Sequence, residues 1–321
     1  MKIKRVFAAA AGALLAAGGA QAQDYPARSI RIVVPSSPGG GTDILARQIA
    51  IKLTERWGQQ VVVDNRPGAG QIIGIDLVAK APPDGYTLVI TATPLAVNTV
   101  LYKKLPYDPL RDFAPITQVA AMPNLLVSHP ALPARTIQQV IALAKARPGE
   151  LTYASSGLGT GPHLSMELFN YMAGVKIEHV PYKGTNPAMI DTISGQVQIL
   201  MSTLLPPLPH LKPGRLRALG VTGTTRVSSL PEVPTIAEGG VKGYEVVNWY
   251  GMAAPANTPR AIVAKLQTEI SAILLGPEMR EKLAAEGAEA VGSTPEEFGA
   301  FVKAEIDKWG KVVKAAKIPL Q

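Results

Sequence analysis

The 321-residue sequence contains no cysteine. That absence excludes disulfide bonds, thiolate metal sites and thiol catalysis, and it also excludes the lipidated cysteine that tethers some exported proteins to a membrane. Aromatic residues make up only 5% of the chain and the basic residues form no stripe, so nucleic-acid binding is disfavoured. The four histidines lack metal-ligand spacing, and no carboxylate pair for acid–base catalysis is recognisable. No metal site and no catalytic residue are therefore assigned.

The first residues indicate an export signal. Basic residues at positions 2, 4 and 5 precede an apolar stretch at 6–17 and an A-x-A pattern at 20–22, which predicts a signal peptide over residues 1–22, cleaved near Ala22. Every later apolar run is broken by proline, glycine or charge, so no membrane span is expected. Removal of the three basic residues lowers the net charge from +8 to +5. We expect a freely diffusing periplasmic protein whose mild positive field suits anionic solutes.

Strand and helix patterns alternate along the rest of the chain, which favours an α/β fold with a parallel sheet. Two extended segments, 125–133 and 246–259, each lead into a helix pattern, and we interpret them as hinge strands near 121–127 and 247–253. The predicted architecture is two α/β lobes around a ligand-binding cleft: a discontinuous lobe 1 (residues 23–125 and 251–321) and lobe 2 (residues 126–250). A single domain with tandem halves is the alternative. Predicted strands lie at 30–34, 60–64, 87–91, 116–121, 125–130, 151–154, 177–181, 198–201 and 216–221, and predicted helices at 44–57, 72–81, 136–146, 163–173 and 187–194.

The segment with the strongest chemical signal joins the first strand to the first helix and reads Ser36-Ser37-Pro38-Gly39-Gly40-Gly41-Thr42-Asp43. Glycines let backbone N–H groups face a ligand, and the first helical turn adds unpaired N–H donors and the positive end of the helix dipole. A carboxylate or phosphate is the expected ligand. Thr42 is a candidate N-cap, and Asp43 is assigned to the helix, not to the ligand. A P-loop is disfavoured because Thr42-Asp43, and not Lys-Ser/Thr, follows the glycines.

Two further glycine loops stand between a strand and a helix. Residues 64–74 contain Gly-x-Gly-x-x-x-Gly, but the acidic residue of a dinucleotide site is missing where Thr91-Ala92-Thr93 ends the next strand, so no cofactor is predicted. This loop is either a tight turn or a ligand-lining loop. Residues 154–163 mirror the first loop. Ser155 and Ser156 suggest a hydrolase, yet the leading glycine of a nucleophile elbow is absent, so hydrogen bonding is favoured; His163 either caps and packs or contacts the ligand.

Several runs are ordinary individually and specific together: Pro38-Gly39-Gly40-Gly41-Thr42-Asp43, Val63-Asp64-Asn65-Arg66-Pro67-Gly68-Ala69-Gly70, Val78-Ala79-Lys80-Ala81-Pro82-Pro83-Asp84-Gly85-Tyr86-Thr87-Leu88, His179-Val180-Pro181-Tyr182-Lys183-Gly184 and Ala254-Pro255-Ala256-Asn257-Thr258-Pro259. With these runs the chain resembles, nearly end to end, the Bug family of periplasmic solute receptors, the soluble component of tripartite tricarboxylate transporters.

The resemblance implies a two-lobed periplasmic-binding-protein fold of type II, the flytrap kind, with two hinge strands. It implies capture of a small carboxylate (a di- or tricarboxylate, an amino acid or an aromatic acid) for delivery to membrane subunits, with no enzyme activity and no cofactor. We expect a monomer. The implied ligand-binding residues come from loops of both lobes and from strand ends: Ser36, Ser37, Gly40, Gly41, Thr42, Gly68, Gly70, Thr91, Thr93, Ser155, Ser156, Gly159, Thr160, His163, Tyr182 and Thr203.

The sequence also departs from the usual family pattern. Ser36-Ser37, Gln71 and residues 202–206 differ from what is common there, which leaves the identity of the carboxylate open. The alternative from another functional class is an exported serine hydrolase that uses Ser155 or Ser156.

Overall fold

The structure, a computed structural model, describes residues 25–285, 287–315, 318 and 320. The predicted signal peptide and its cleavage site lie outside the described residues. Among the described residues, no helix combines the length and apolar character needed to cross a bilayer.

The strands are β1 (Ile30–Val34), β2 (Val61–Asn65), β3 (Thr87–Ala92), β4 (Phe113–Ser128), β5 (Thr152–Ser155), β6 (Glu178–Pro181), β7 (Ile199–Thr203), β8 (Arg217–Val221), β9 (Val247–Pro255) and β10 (Glu289–Ala290). The helices are α1 (Gly41–Trp57), α2 (Ile72–Ala79), α3 (Pro94–Leu101), α4 (Ile137–Ala146), α5 (Gly161–Ala173), α6 (Thr185–Ile193), α7 (Leu208–Leu211), α8 (Arg260–Leu274), α9 (Pro277–Ala285) and α10 (Pro295–Ala315).

The first half of the fold is built on a mixed sheet. Strands β2, β1 and β3 are parallel neighbours in that order. β9 then runs antiparallel to β3, and β4 runs antiparallel to β9. The expectation of a parallel sheet is confirmed for β2, β1 and β3 and is wrong for β9 and β4. They oppose each other because β4 leaves this half of the molecule and β9 returns to it.

The second half shares β4 with the first. β5 is the parallel neighbour of both β6 and β7, and β7 and β8 run antiparallel to the last residues of β4. The two strands predicted at 116–121 and 125–130 are one 16-residue strand, since Pro123 stays in register with β9. β4 therefore ties both halves into one continuous framework.

Helix α1 illustrates how the sequence specifies these elements. Leu45, Ile49 and Leu53 recur every four residues and are buried against the sheet, as an amphipathic helix requires. The helix ends at Gly58, which adopts the left-handed conformation of a C-terminal cap. It begins at Gly41, three residues before the predicted start, so its N-cap is Gly40 and not Thr42.

The C-terminal helix α10 fixes the position of β9. The buried Glu305 carboxylate accepts hydrogen bonds from the indole N–H groups of Trp249 and Trp309, each at 2.9 Å. A carboxylate removed from water needs such partners, and both indoles would otherwise be unpaired. This contact anchors β9 at Trp249. The next residue of the strand, Tyr250, points toward the centre of the molecule.

Candidate functional site

Four helices begin at one cavity between the two halves of the fold. Gly41, Pro94, Gly161 and Thr185 are the first residues of α1, α3, α5 and α6, and all four line this central cavity. The carboxyl ends of β1, β3, β5 and β6 precede these helices, which is where open α/β sheets place ligands. In this arrangement the volume of the cavity is about 20 Å³, room for about one water molecule. Its lining consists of Ser36, Gly40, Gly41, Thr42, Gln71, Ala92, Pro94, Ser156, Thr160, Gly161, Pro162, Thr185, Thr203, Asn248 and Tyr250.

The electrostatics of the central cavity favour an anion without any charged side chain in its lining. Each helix N-terminus presents the positive end of its dipole. Helices α1, α5 and α6 also offer N–H donors from their first residue, whereas α3 begins with a proline, which has no N–H group. Metal binding has no support in the described part of the chain, which contains no group of three or more His, Asp or Glu placed to hold an ion.

Several polar atoms in the cavity wall have no partner among the residues that the structure describes. The hydroxyl oxygens of Ser36, Thr203 and Tyr250 and the Oε1 atom of Gln71 are buried and make no hydrogen bond of normal geometry there. The Tyr250 hydroxyl does lie beside the Thr203 and Asn248 side chains. Such atoms are rare in folded proteins because each carries an uncompensated desolvation cost. Four such atoms line this one cavity, where water or a bound solute supplies the missing partners.

Two glycines allow the helix ends to approach β9. A methyl group at Gly41 would lie 2.5 Å from the hydroxyl oxygen of Tyr250 and 2.9 Å from Oγ1 of Thr203. Gly161 lies directly against the Asn248 side chain, with no space for a Cβ. Burial raises the pKa of Tyr250 well above its usual range, against the opposing effect of the neighbouring Thr203 and Asn248 side chains, so its hydroxyl is neutral at the cavity wall.

The first loop is held in shape by the Asp43 carboxylate. Its oxygens accept hydrogen bonds from the Gly39 amide at 3.0 Å, from Arg47 at 2.9 Å and from Asn65 at 2.9 Å. Asn65 also donates to the Ser36 carbonyl at 3.0 Å. Burial favours a higher pKa for Asp43, but these hydrogen bonds together hold it below its usual value. The acid therefore stays charged and shapes the loop, in agreement with its assignment to the helix.

The third loop is held from below by buried side chains. The Thr160 hydroxyl donates to the Gly157 carbonyl at 2.7 Å and receives a longer 3.5 Å contact from the His163 amide as the cap of α5. Nδ1 of His163 accepts a hydrogen bond from the Gly159 amide at 3.2 Å. Ser155 Oγ lies 2.7 Å from Nε2 of His179. Ser155 and His163 thus support the loop from its protein-facing side.

The two histidines beneath this loop are neutral. Their rings are 4.4 Å apart, and the His179 ring also stacks on Tyr153 at 4.7 Å. Burial, with the neighbouring His179, lowers the pKa of His163 to about 3, and burial lowers that of His179 to about 4. The Ser155–His179 contact has the distance of a nucleophile–base pair, yet Ser155 is 0% exposed. Because no substrate reaches that oxygen, the pair is a structural contact.

A side chamber of about 200 Å³ adjoins the central cavity and shares Gln71 and Ser156 with it; its other lining residues are Pro35, Gly68, Ala69, Gly70, Tyr102, Gly157, Leu158, Pro181, Tyr182 and Lys183. Of the residues implied by the sequence, Ser36, Gly40, Gly41, Thr42, Ser156, Thr160 and Thr203 line the central cavity, and Gly68, Gly70 and Tyr182 line the side chamber.

The remaining implied residues lie outside both linings. The Ser37 amide donates to the Lys183 carbonyl at 3.2 Å, and the Thr93 hydroxyl donates to Asn248 at 2.9 Å. Thr91 is buried at the end of β3, while Gly159 packs against Asn98 with no space for a Cβ. Together with Ser155 and His163, these residues pack around the two linings without forming part of them.

Four polar lining residues were missed by reasoning from the sequence: Gln71, Thr185, Asn248 and Tyr250. Thr185 follows Gly184 at a helix start, which is a local signal of the same kind as in the other loops. Asn248 and Tyr250 carry no local signal. Tyr250 reaches the cavity because β9 pairs with β3 and sets it opposite Ala92.

Comparisons with known proteins agree on one family. A sequence profile described as "TctC: Tripartite tricarboxylate transporter family receptor" matches residues 45–318. Among curated proteins, Protein BugT of Bordetella pertussis is 39% identical over 311 residues, covering 96% of this chain and 94% of BugT.

Solved structures give the same result. The Rhodopseudomonas palustris protein Rpa4515, solved with adipate, is 42% identical with a TM-score of 0.90, covering 93% of this chain and 100% of that one. MatC from the same organism, solved with bound malate, is 32% identical with a TM-score of 0.86, covering 90% of this chain and 100% of that one.

Proposed function

The chain belongs to the TctC family of tripartite tricarboxylate transporter receptors, and we propose that its central cavity captures a small carboxylate for uptake. The family consists of periplasmic solute-binding proteins, and small-carboxylate binding for transport is the function that membership supports. The observation that carries the assignment to this cavity is the meeting of four helix N-termini beside polar atoms that lack partners.

The chemistry of the cavity suits a carboxylate held by neutral donors. Backbone N–H groups of the loops and the hydroxyls of Ser36, Thr203 and Tyr250 line the space, and no lysine or arginine is part of it. Charge-assisted hydrogen bonds contribute about 1.5–3 kcal/mol each. Several such bonds together offset the cost of association and leave a binding free energy of about −8 kcal/mol, which corresponds to micromolar affinity.

The proposed ligand contacts are those implied residues that line the central cavity: Ser36, Gly40, Gly41, Thr42, Ser156, Thr160 and Thr203. The ligands named for the two similar solved structures, adipate and malate, are both dicarboxylates. A dicarboxylate is accordingly our first candidate for this protein. Membrane subunits of a tripartite transporter are the proposed partners, because the family works with such subunits.

We propose that lobe 1 (23–125 and 251–321) and lobe 2 (126–250) close on the ligand about hinges at 121–127 and 247–253. This is supported by the sharing of β4 between the two halves and by the Ser37–Lys183 backbone contact across the cleft. Small-angle scattering of the monomeric protein would then show compaction on ligand addition. Identical scattering curves with and without a ligand that demonstrably binds would contradict the hinge proposal.

Export is proposed to remove residues 1–22. Intact-mass measurement of the periplasmic form would give a chain starting near Gln23 without an acyl adduct, and a retained leader or a lipid mass would contradict it. The same preparation, weighed by native mass spectrometry, would report monomer mass and any retained ligand.

The decisive experiment for function is a binding screen. Purified protein would be tested by isothermal titration calorimetry and thermal shift against dicarboxylates, amino acids, aromatic acids, amines and neutral sugars. Stabilisation by at least one carboxylate is expected. If amines or sugars stabilise the protein and no carboxylate does, the assignment of an anion site to the central cavity is wrong. Turnover assays on ester and amide pools test for hydrolysis, and the burial of Ser155 predicts none through that residue.

A further inference from the structure

Gln71 occupies a backbone conformation that its side chain disfavours. It has φ 75° and ψ −3°, and the two preceding residues, Ala69 (φ 47°) and Gly70 (φ 59°), are left-handed as well. Non-glycine residues visit this region uncommonly, and normally as single residues. Such conformations persist where the surrounding structure enforces them and are concentrated at ligand sites. A glycine would fit this position without strain, so the glutamine side chain is retained at a cost.

The side chain of Gln71 has no evident structural task. It is 7% exposed, its Oε1 atom is buried without a hydrogen-bond partner, and it gives no side-chain cap to α2 although it is the N-cap residue. An amide that stabilised the fold would be hydrogen-bonded within it. Within the described part of the chain the amide oxygen is therefore unpaired and available to a bound solute.

Gln71 stands at the boundary between the two compartments of the cleft. It lines the central cavity and also the side chamber, whose lining includes Tyr102, Tyr182 and Lys183. A solute with one carboxylate at the helix N-termini would extend past Gln71 into the side chamber. A side-chain amide both donates and accepts, so it can bind a carboxylate or a hydroxyl.

We propose that Gln71 determines specificity by binding the second polar group of the ligand, so that the protein selects two-headed acids over single-headed acids of equal length. The proposal rests on the proposed function, because it assumes that the first carboxylate lies in the central cavity. It accounts for three independent observations at one residue: the left-handed backbone, the buried amide oxygen without a partner, and the position between two compartments.

The test compares matched acids by calorimetry: adipate with hexanoate, and succinate with butyrate. Wild-type protein is expected to bind at least one diacid about tenfold or more tightly than its single-headed partner. Gln71→Gly is expected to abolish that difference by weakening the diacid, to change the affinity for the monoacid less than about twofold, and to leave the thermal midpoint unchanged or higher because backbone strain is relieved.

Two further variants separate the amide from the backbone. Gln71→Glu keeps the length and the left-handed conformation but adds a negative charge, and it is expected to weaken diacid binding selectively. Asn257→Gly relieves the same kind of conformation (φ 64°) at an exposed turn away from the cleft, and it is expected to leave both affinities unchanged. A stability gain in Asn257→Gly without any affinity change shows that strain relief alone does not alter binding.

The outcomes distinguish this proposal from the one on which it rests. If no carboxylate binds wild-type protein, the proposed function fails. If carboxylates bind but wild type shows no preference for either diacid, or Gln71→Gly weakens diacid and monoacid equally, the function stands and the role of Gln71 is refuted.

Discussion

Replacing Tyr250 by phenylalanine removes a single oxygen atom from the wall of the central cavity. That hydroxyl is buried beside the Thr203 and Asn248 side chains and makes no hydrogen bond of normal geometry within the described part of the chain. Leaving such a group unpaired costs about 1–3 kcal/mol, whereas a hydrogen bond from it to a carboxylate contributes about 1.5–3 kcal/mol. Tyr250→Phe should therefore leave the free energy of unfolding of the ligand-free protein unchanged or raise it, while weakening carboxylate binding about 10- to 150-fold.

The matched control is Tyr244→Phe. Tyr244 is equally buried, but its hydroxyl donates to the Ser165 carbonyl at 2.9 Å. Its loss should destabilise the fold by about 0.5–1.5 kcal/mol and leave affinity unchanged. The two variants thus predict opposite patterns in denaturant unfolding and calorimetry. Equal destabilisation by both, with unchanged affinity in Tyr250→Phe, would refute the view that the Tyr250 hydroxyl is reserved for a ligand.

Three further perturbations test the supports of the loops. Unfolded histidines titrate near pH 6.5, whereas His163 and His179 stay neutral in the fold to about 3 and about 4. The unfolded state thus binds more protons, so the thermal midpoint should fall as pH drops from about 6.5 to about 4. His179→Gln should flatten this dependence, and an unchanged slope would contradict the neutral pair. Asp43→Asn should lower stability by about 1–3 kcal/mol and weaken carboxylate binding, because the Gly39 amide and two side chains lose a charged acceptor; equal affinity by calorimetry would argue against a shaping role. Thr160→Val should lower the free energy of unfolding by about 1 kcal/mol through the lost helix cap and should weaken carboxylate binding. Thr160→Ser should restore both stability and affinity. Failure of the serine variant to restore them would point to the methyl group of Thr160 instead.

Local patterns in the sequence sufficed for the elements around the site. The strand at 30–34 is β1 as predicted, and the predicted helix at 163–173 corresponds to α5, which begins two residues earlier. The spacing of apolar residues and the glycines that precede helices are properties of residues close together in sequence. They can therefore be recognised without a structure. The same reasoning located the glycine loops, and anion binding at the first one stays a prediction.

The pairing of strands far apart in sequence could not be predicted in this way. The antiparallel course of β4 and β9 depends on which half of the molecule each strand leaves or enters, and no local pattern encodes that. Helix α3 was not predicted, yet its first residue lines the central cavity.

The sequence by itself determined the family, the alternation of strands and helices, and the loops that present backbone N–H groups. Only the tertiary structure decided which side chains face the ligand space. Ser155 turns inward because its hydroxyl contacts His179, 24 residues away, and Tyr250 turns toward the cavity because β9 lies between β3 and β4. The physical reason is that a loop's backbone conformation follows from local sterics, whereas the direction of each side chain is set by partners that only folding brings within hydrogen-bonding distance.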